Sequence, residues 1–172
     1  MKGSAVSLIS ESYRQQNTKL HEGQKYGVSG HKRLHEVLSL AELLDTRDIL
    51  DYGCGQRSLE TVLGFPIKNY DPCVPGLDSA PEPAILVICN EVLEHVEPDY
   101  LDNVLDDIQR VTLRANYLII PTAPAKKSLP DGRNAHLIQE GVNWWMPKIL
   151  ARFKLRSFKL GGTKLHFICE KL

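Results

Sequence analysis

Apolar residues along this chain alternate between helix-like and strand-like spacing. Leu34, Val37, Leu38, Ala41 and Leu44 recur at three- and four-residue steps behind Ser29, a good N-cap. They predict an amphipathic helix from about Gly30 to Leu44. Asp48–Tyr52 reads as a short strand running into a glycine turn, Ser58–Leu63 as a short helix, and Ile67–Tyr70 as a second strand ending at Asp71. Pro72, Pro75, Pro81 and Pro83 follow. Each removes a backbone donor and restricts the residue before it, so this stretch is a loop. Ala84–Cys89 is an unbroken apolar run, suited to a parallel strand buried on both faces. A helix is expected from Pro98, with proline at its first position and Leu101, Val104, Leu105, Ile108 and Val111 as its buried stripe. Tyr117–Ile120 predicts another strand, halted by Pro121, and Val142–Phe153 a helix interrupted at Pro147. Lys154–Leu160 and Thr163–Glu170 flank Gly161-Gly162 and predict a β-hairpin. Leu8–Leu20 adds a loose N-terminal helix.

Strands alternating with helices imply an α/β fold, a mostly parallel sheet covered on both sides. The terminal antiparallel hairpin suits such a sheet less commonly, which narrows the architecture. At 172 residues the chain is the size of one domain, spanning 1–172, long enough to bury a core without staples. Lys+Arg and Asp+Glu are equal at 21 each, which argues against a strongly basic nucleic-acid binder. No apolar run approaches the ~20 residues that cross a membrane, and Met1–Ser12 lacks the apolar core of a signal peptide. Cys54, Cys73, Cys89 and Cys169 form no close pair, so a reduced, cytoplasmic protein is expected.

The chemistry concentrates at the strand ends. A strand that ends in Asp51 and runs into Gly53 and Gly55 puts bare backbone at the carboxyl edge of the sheet, where ligands bind in open α/β folds. The acid there can hold a cationic amino group; the alternative is a plain strand-to-helix turn. Asp71 lies twenty residues beyond Asp51, where a carboxylate can accept both ribose hydroxyls; the alternative is a turn carboxylate before Pro72. Asn90-Glu91-Val92-Leu93-Glu94-His95-Val96 then follows the buried strand.

Ile49-Leu50-Asp51-Tyr52-Gly53-Cys54-Gly55, Tyr70-Asp71 and Ile88 to Val96 together resemble the successive motifs of class I S-adenosylmethionine-dependent methyltransferases, closest in flavour to the ubiquinone and menaquinone biosynthesis group. Leu20-His21, Tyr26 to Gly30 and Asp131 to Leu137 are also similar to short methyltransferase-like proteins encoded by bacteriophages. The resemblance implies a Rossmann-like three-layer sandwich and S-adenosyl-L-methionine as cofactor. It implies that Gly53 and Gly55 meet the methionine moiety through backbone, with Cys54 between them and Asp51 beneath. Asp71, followed by Pro72, would hold the ribose, and Asn90 with Glu91 would lie near the methionine end. Asp78 is the nearest candidate for the adenine amino group. Residues 1–29, with His21 and Tyr26, would form a lid.

Two features depart from the family. Arg57 stands where a third glycine is common, and its side chain is expected to narrow the pocket or cover the cofactor. Only twelve residues separate Asp71 from Ala84, too few for a helix and a strand, so this unit is expected to shrink to a loop.

Methyl transfer from a sulfonium is an in-line displacement that needs alignment and, for some acceptors, a base. His95 and His136 are the candidate catalytic bases; the alternative is a structural hydrogen bond for each. His31 and His35 have metal-compatible spacing, but with no third ligand a solvated helix face is favoured, and no metal site is expected. Trp144 and Trp145 are expected to pack rather than stack on an acceptor, and Lys126 and Lys127 to be solvated. After the fourth family strand stands Asn90-Glu91-Val92-Leu93, not the Pro-Pro-aromatic segment of amino-directed nucleic-acid methyltransferases. The only Pro-Cys, Pro72-Cys73, follows the second strand, so cytosine-C5 chemistry is not indicated either. The expected partner is a small-molecule, modified-nucleotide or glycan acceptor. A cofactor-binding partner or regulator is the competing reading; an NAD-dependent oxidoreductase lacks its third glycine.

Overall fold

The computed structural model describes residues 7–21 and 27–172, and everything below concerns these. The hydrophobic runs become β1 (Ile49–Tyr52), β2 (Lys68–Tyr70), β3 (Ala84–Asn90), β4 (Thr112–Pro121), β5 (Phe153–Gly161) and β6 (Lys164–Lys171). They form one sheet in the order β2-β1-β3-β4-β6-β5. The β1–β2, β1–β3 and β3–β4 pairs are parallel; β4–β6 and β5–β6 are antiparallel. This is the α/β sandwich with a terminal hairpin expected from the pattern. Residues 71–83 contain no regular element, so β2 is an edge strand and the shortened third-strand unit is indeed a loop.

Each face of the sheet buries its own layer. On one side Leu50, Val87, Leu118 and Phe167 pack against α4 (Leu101–Val111) and α5 (Val142–Leu150). On the other, Ile49, Leu86, Ile88 and Tyr117 meet Val37 and Ala41 of α2 (Leu34–Leu43) and Leu59 of α3 (Ser58–Leu63). The alternation of neighbours along each strand is the two-residue period of a pleated sheet. The buried residues of α4 are Leu101, Val104, Leu105, Ile108 and Val111, the predicted stripe.

Several local expectations are corrected. The Gly30–Leu44 helix begins as a 3-10 turn, Ser29–Arg33, and is α-helical only over Leu34–Leu43. Ser29 caps nothing; its hydroxyl oxygen accepts from Asn90 Nδ2 at 2.8 Å, a tertiary partner that outcompetes the local one. Pro98 likewise opens a 3-10 turn, Pro98–Tyr100, ahead of α4, the common tightening of a helix start. Pro147 does not interrupt α5. The helix runs through it because Trp145 and Ile149 on either side are anchored in the core. Strand β4 starts five residues before Tyr117, directly at the end of α4. The polar residues that hid this start are bonded within the core, Thr112 Oγ1 donating to Ile108 O at 2.7 Å and Asn116 Nδ2 donating to Thr112 Oγ1 at 3.4 Å, while the Asn116 carbonyl oxygen has no hydrogen-bond partner.

The N-terminal helix α1 (Glu11–His21) lies across the carboxyl edge of the sheet. Ser10 donates to Glu97 through both N–H and hydroxyl, at 2.8 Å each. The buried Tyr13 hydroxyl donates to His95 O. Farther along, Arg14 donates to Pro72 O at 2.8 Å and Thr18 to Cys73 O at 3.0 Å.

Candidate functional site

Beneath α1, along the strand tips, runs a cavity of about 500 Å³, within the usual range of small-ligand sites. Its near end is built by the glycine turn. Gly53 at φ 81° and Gly55 at φ 50° lie in the left-handed region, which costs glycine nothing. Neither has room for a side chain. A Cβ on Gly53 would stand 2.3 Å from Val92, and one on Gly55 2.5 Å from the Gly27 carbonyl oxygen. The Gly53 and Cys54 amides donate to Tyr70 O at 2.7 and 3.0 Å, which locks the turn to the tip of β2.

Asp71 organises this end. Its buried carboxylate accepts from Gly55 N at 3.0 Å and from Cys73 N at 2.9 Å. Asp71, Pro72, Gly53 and Glu91 all line the large cavity. Asp51, Cys54 and Asn90 do not. They line an adjoining space of about 40 Å³ roofed by Gly27, Ser29 and Gly30. Asp51 is buried there, and burial, followed by the charges of Asp71 and Glu60, pushes its carboxyl up to about 7. Burial also raises the Cys54 thiol, with the charges of Asp51 and Asp71 adding to the effect. Asn90 donates to Ser29 and accepts from Arg33 Nε at 3.2 Å, so it ties the tip of β3 to the segment above it. Glu91 holds a left-handed conformation at φ 58°, unusual for a side chain with a Cβ and common at functional turns. Lys164 pairs with its carboxylate, and Arg33 stands 3.8 Å away.

One of the proposed residues stands elsewhere. Asp78 is on the exposed loop, 4.0 Å from Arg14, outside the cavity lining. Tyr26 and the side chain of His21 lie outside the described residues. The expectation for Arg57 is corrected: it narrows nothing. Its backbone adopts the φ of 57° that a glycine would supply, and its exposed guanidinium turns outward to pair with Glu60. Trp145 is fully buried against the sheet, and Lys148 lies over the ring of Trp144, as packing roles require. His31 and His35 are exposed, one on the 3-10 turn and one on α2. Lys126 and Lys127 sit on the rim of the cavity.

At the far end His95 and His136 come together, their rings edge-to-face with centroids 4.9 Å apart. His95 belongs to the 3-10 turn Leu93–His95 behind β3, and His136 to the connection 122–141. The Asn134 side chain braces that connection through the backbone of Ala125 and the amide of His136. His95 Nδ1 is 2.7 Å from Ala135 O and His136 Nδ1 is 2.6 Å from Ala123 O. A carbonyl only accepts, so both rings carry their proton on Nδ1 and turn Nε2 inward. What they turn toward is a residue that the sequence had not singled out. Glu94 is fully buried, with Oε1 3.7 Å from His95 Nε2 and 3.9 Å from His136 Nε2. Neither of its oxygens has a hydrogen-bond partner, and burial drives its carboxyl well above the usual range.

No family model matches the sequence, and no curated protein matches it. Solved structures do match in shape. The PH0226 protein from Pyrococcus horikoshii OT3 aligns over 95% of this chain and 100% of its own, at 15% identity and a TM-score of 0.62. The DhpI–SAH complex aligns over 94% and 98%, at 13% identity and 0.64. Magnesium protoporphyrin IX methyltransferase from Synechocystis PCC 6803, with bound SAH, aligns over 92% and 87%, at 15% identity and 0.58. At these identities the shared property is the fold, the Rossmann-like sandwich found in methyltransferases. Among the described residues no helix is long and apolar enough to cross a membrane.

Proposed function

We propose that this chain is an S-adenosyl-L-methionine-dependent methyltransferase acting on a small molecule, a modified nucleotide or a glycan. The observation that carries the reading is the pair of buried carboxylates at the tips of adjacent parallel strands, Asp51 and Asp71, with a glycine turn between them. The donor set fits the cofactor. Every influence on Asp51 disfavours its ionised form, so an ammonium group is the partner it lacks. Asp71 lines the large cavity, where a carboxylate can accept from a ribose hydroxyl. Gly53, Cys54, Gly55, Asn90 and Glu91 would surround the methionine end, and Pro72 the ribose. Helix α1 serves as the lid.

When bound, the cofactor supplies an electrophilic methyl group on a positively charged sulfur. Asp51 and Asp71 would hold the cofactor at the strand tips, and the rest of the cavity would hold an acceptor aligned for in-line displacement at the methyl carbon, with the carbon–sulfur electron pair leaving on sulfur. His95 or His136 takes the proton the acceptor gives up, or receives it through water. A cytoplasmic setting belongs to the same reading and is supported by four free, buried thiols.

A second reading, a cofactor-fold protein that acts as a partner or regulator, is favoured by one observation. The chain's own Gly27 carbonyl rests against the glycine turn, where it accepts from Gln56 N at 2.9 Å. Calorimetric titration with S-adenosylmethionine, S-adenosylhomocysteine and NAD separates the readings. Binding of the first two and not of NAD is expected; no heat with either sulfur ligand overturns the cofactor site. Binding without turnover of any acceptor in a pooled metabolite extract favours the regulator.

A further inference from the structure

We propose that Glu94, His95 and His136 form a binding site for one divalent first-row transition ion, held by the two imidazole Nε2 atoms and the Glu94 carboxylate. The three ligand atoms all lie within 4.8 Å of one another. Glu94 supplies the independent pointer. A fully buried carboxylate with no hydrogen-bond partner on either oxygen is costly, and buried carboxylates of this kind are paired or coordinate metals.

The separations favour an ion over direct contact. A charge-assisted hydrogen bond would bring Nε2 and Oε1 to about 2.7–2.9 Å, and the observed gaps are 3.7 and 3.9 Å. Two atoms bound about 2.1 Å from a tetrahedral ion stand roughly 3.4 Å apart. Closure by a few tenths of an ångström therefore brings each imidazole to an ion-bridging distance from Glu94, whereas a hydrogen bond needs about an ångström; the two ligand nitrogens, within 4.8 Å of each other, draw together on the ion. The tautomers are already set. Ala135 O and Ala123 O accept from the two Nδ1–H groups, which is the outer support that metal-bound histidines use. The supports are themselves tied down, because Ile138 N donates to Glu94 O at 3.0 Å and Ala135 N to Lys127 O at 3.0 Å. Glu91, three residues from Glu94, is engaged by Lys164 and does not compete for the ion.

Two imidazoles and one carboxylate suit zinc, cobalt, iron or manganese better than calcium or magnesium, which take oxygen sets. All three residues line the cavity, so the remaining coordination positions open into it. The ion's binding does not depend on the methyltransferase reading; within that reading it takes the place of the histidine base, because both Nε2 atoms are then ligands and the ion itself holds and acidifies the acceptor oxygen.

The test is titration of chelator-treated full-length protein with Co²⁺, followed by visible absorption, with Zn²⁺ as competitor. One equivalent per chain is expected, with cobalt bands that zinc abolishes. His136→Gln and Glu94→Gln each lower affinity by more than about 100-fold, the upper end of what losing an outer support alone costs, while His35→Ala on the exposed helix leaves it unchanged. Thermal unfolding checks each variant; should Glu94→Gln not fold, His136→Gln decides. Folded wild-type protein that binds neither ion, or His136→Gln that binds as tightly as wild type, overturns the site. S-adenosylmethionine binding, measured on the same samples, reports separately on the cofactor reading.

Discussion

The two ends of the cavity each hold a buried carboxylate, and they are built in opposite ways. Asp71 accepts two backbone N–H groups and thereby shapes the glycine turn. Glu94 accepts none. Burial is nearly equal, so the contrast isolates the effect of partners. A buried carboxylate with amide donors is a structural fastener. One without donors is a standing cost that a ligand removes. The first end is assembled before anything binds; the second is completed by binding.

The sharpest way to break this contrast is Asp71→Ala. It strands two buried amides, so urea unfolding should show a loss of about 2–4 kcal/mol. A loss below about 1 kcal/mol would remove Asp71 from its fastening role. Next in size is the pH response of the same end. Asp51 titrates at about 7, and a cationic amino group binds its ionised form. Calorimetric affinity for S-adenosylmethionine should therefore fall roughly tenfold per pH unit below that value and level off above it. Asp51→Asn should flatten the profile; a profile that stays steep in that variant rules out Asp51 as the titrating group.

At the far end the sign reverses. Without an ion, Glu94→Gln removes a cost rather than a fastener and should change stability by less than about 1 kcal/mol at pH 8, toward stabilisation if at all. The raised folded pKa means that Glu94 binds its proton more tightly in the folded chain. Its contribution is therefore intact below about 4.5 and is lost as pH rises from there toward the folded value. Glu94→Gln should make unfolding free energy less steep over that window, and a steeper dependence in the variant would contradict the assignment. The smallest effect is expected for Arg57→Gly. It relieves a left-handed backbone and gives up an exposed ion pair, for a net change within about 1 kcal/mol. Because the side chain points away from the cavity, cofactor affinity should hold within about twofold; a larger change would bring Arg57 back to the site.

Legibility in the sequence differed between the ends for the same reason. The acid end is assembled from neighbours in sequence. Strand, glycine turn and terminal acids are local patterns, and both Asp71 and the loop that replaces a third strand could be read from spacing. The far end depends on a loop that returns. Only the fold of 122–141, braced by Asn134, brings His136 against Glu94, and no period in the sequence encodes that. The same logic explains Ser29, whose local capping chemistry was claimed by Asn90 from across the sheet. It also explains β4, whose first half hid behind Thr112 and Asn116, polar residues that bond to each other in the core. Arg57 was misplaced because a side chain's direction follows from the backbone φ, which composition does not report.

The loop that stands in for a third strand leaves β2 as the outer edge of the sheet, and an open edge invites pairing between copies of a chain. This edge is poorly suited to that. It is three residues long, and its first residue is a lysine whose ammonium bridges Asp48 at 2.6 Å and the Pro83 carbonyl at 2.7 Å. The loop then folds back over its end, with Asp71 N donating to Leu77 O at 2.9 Å. A short, charged, self-capped edge offers no template for a neighbour's strand, so the chain sheds a structural unit without acquiring an aggregation surface in its place.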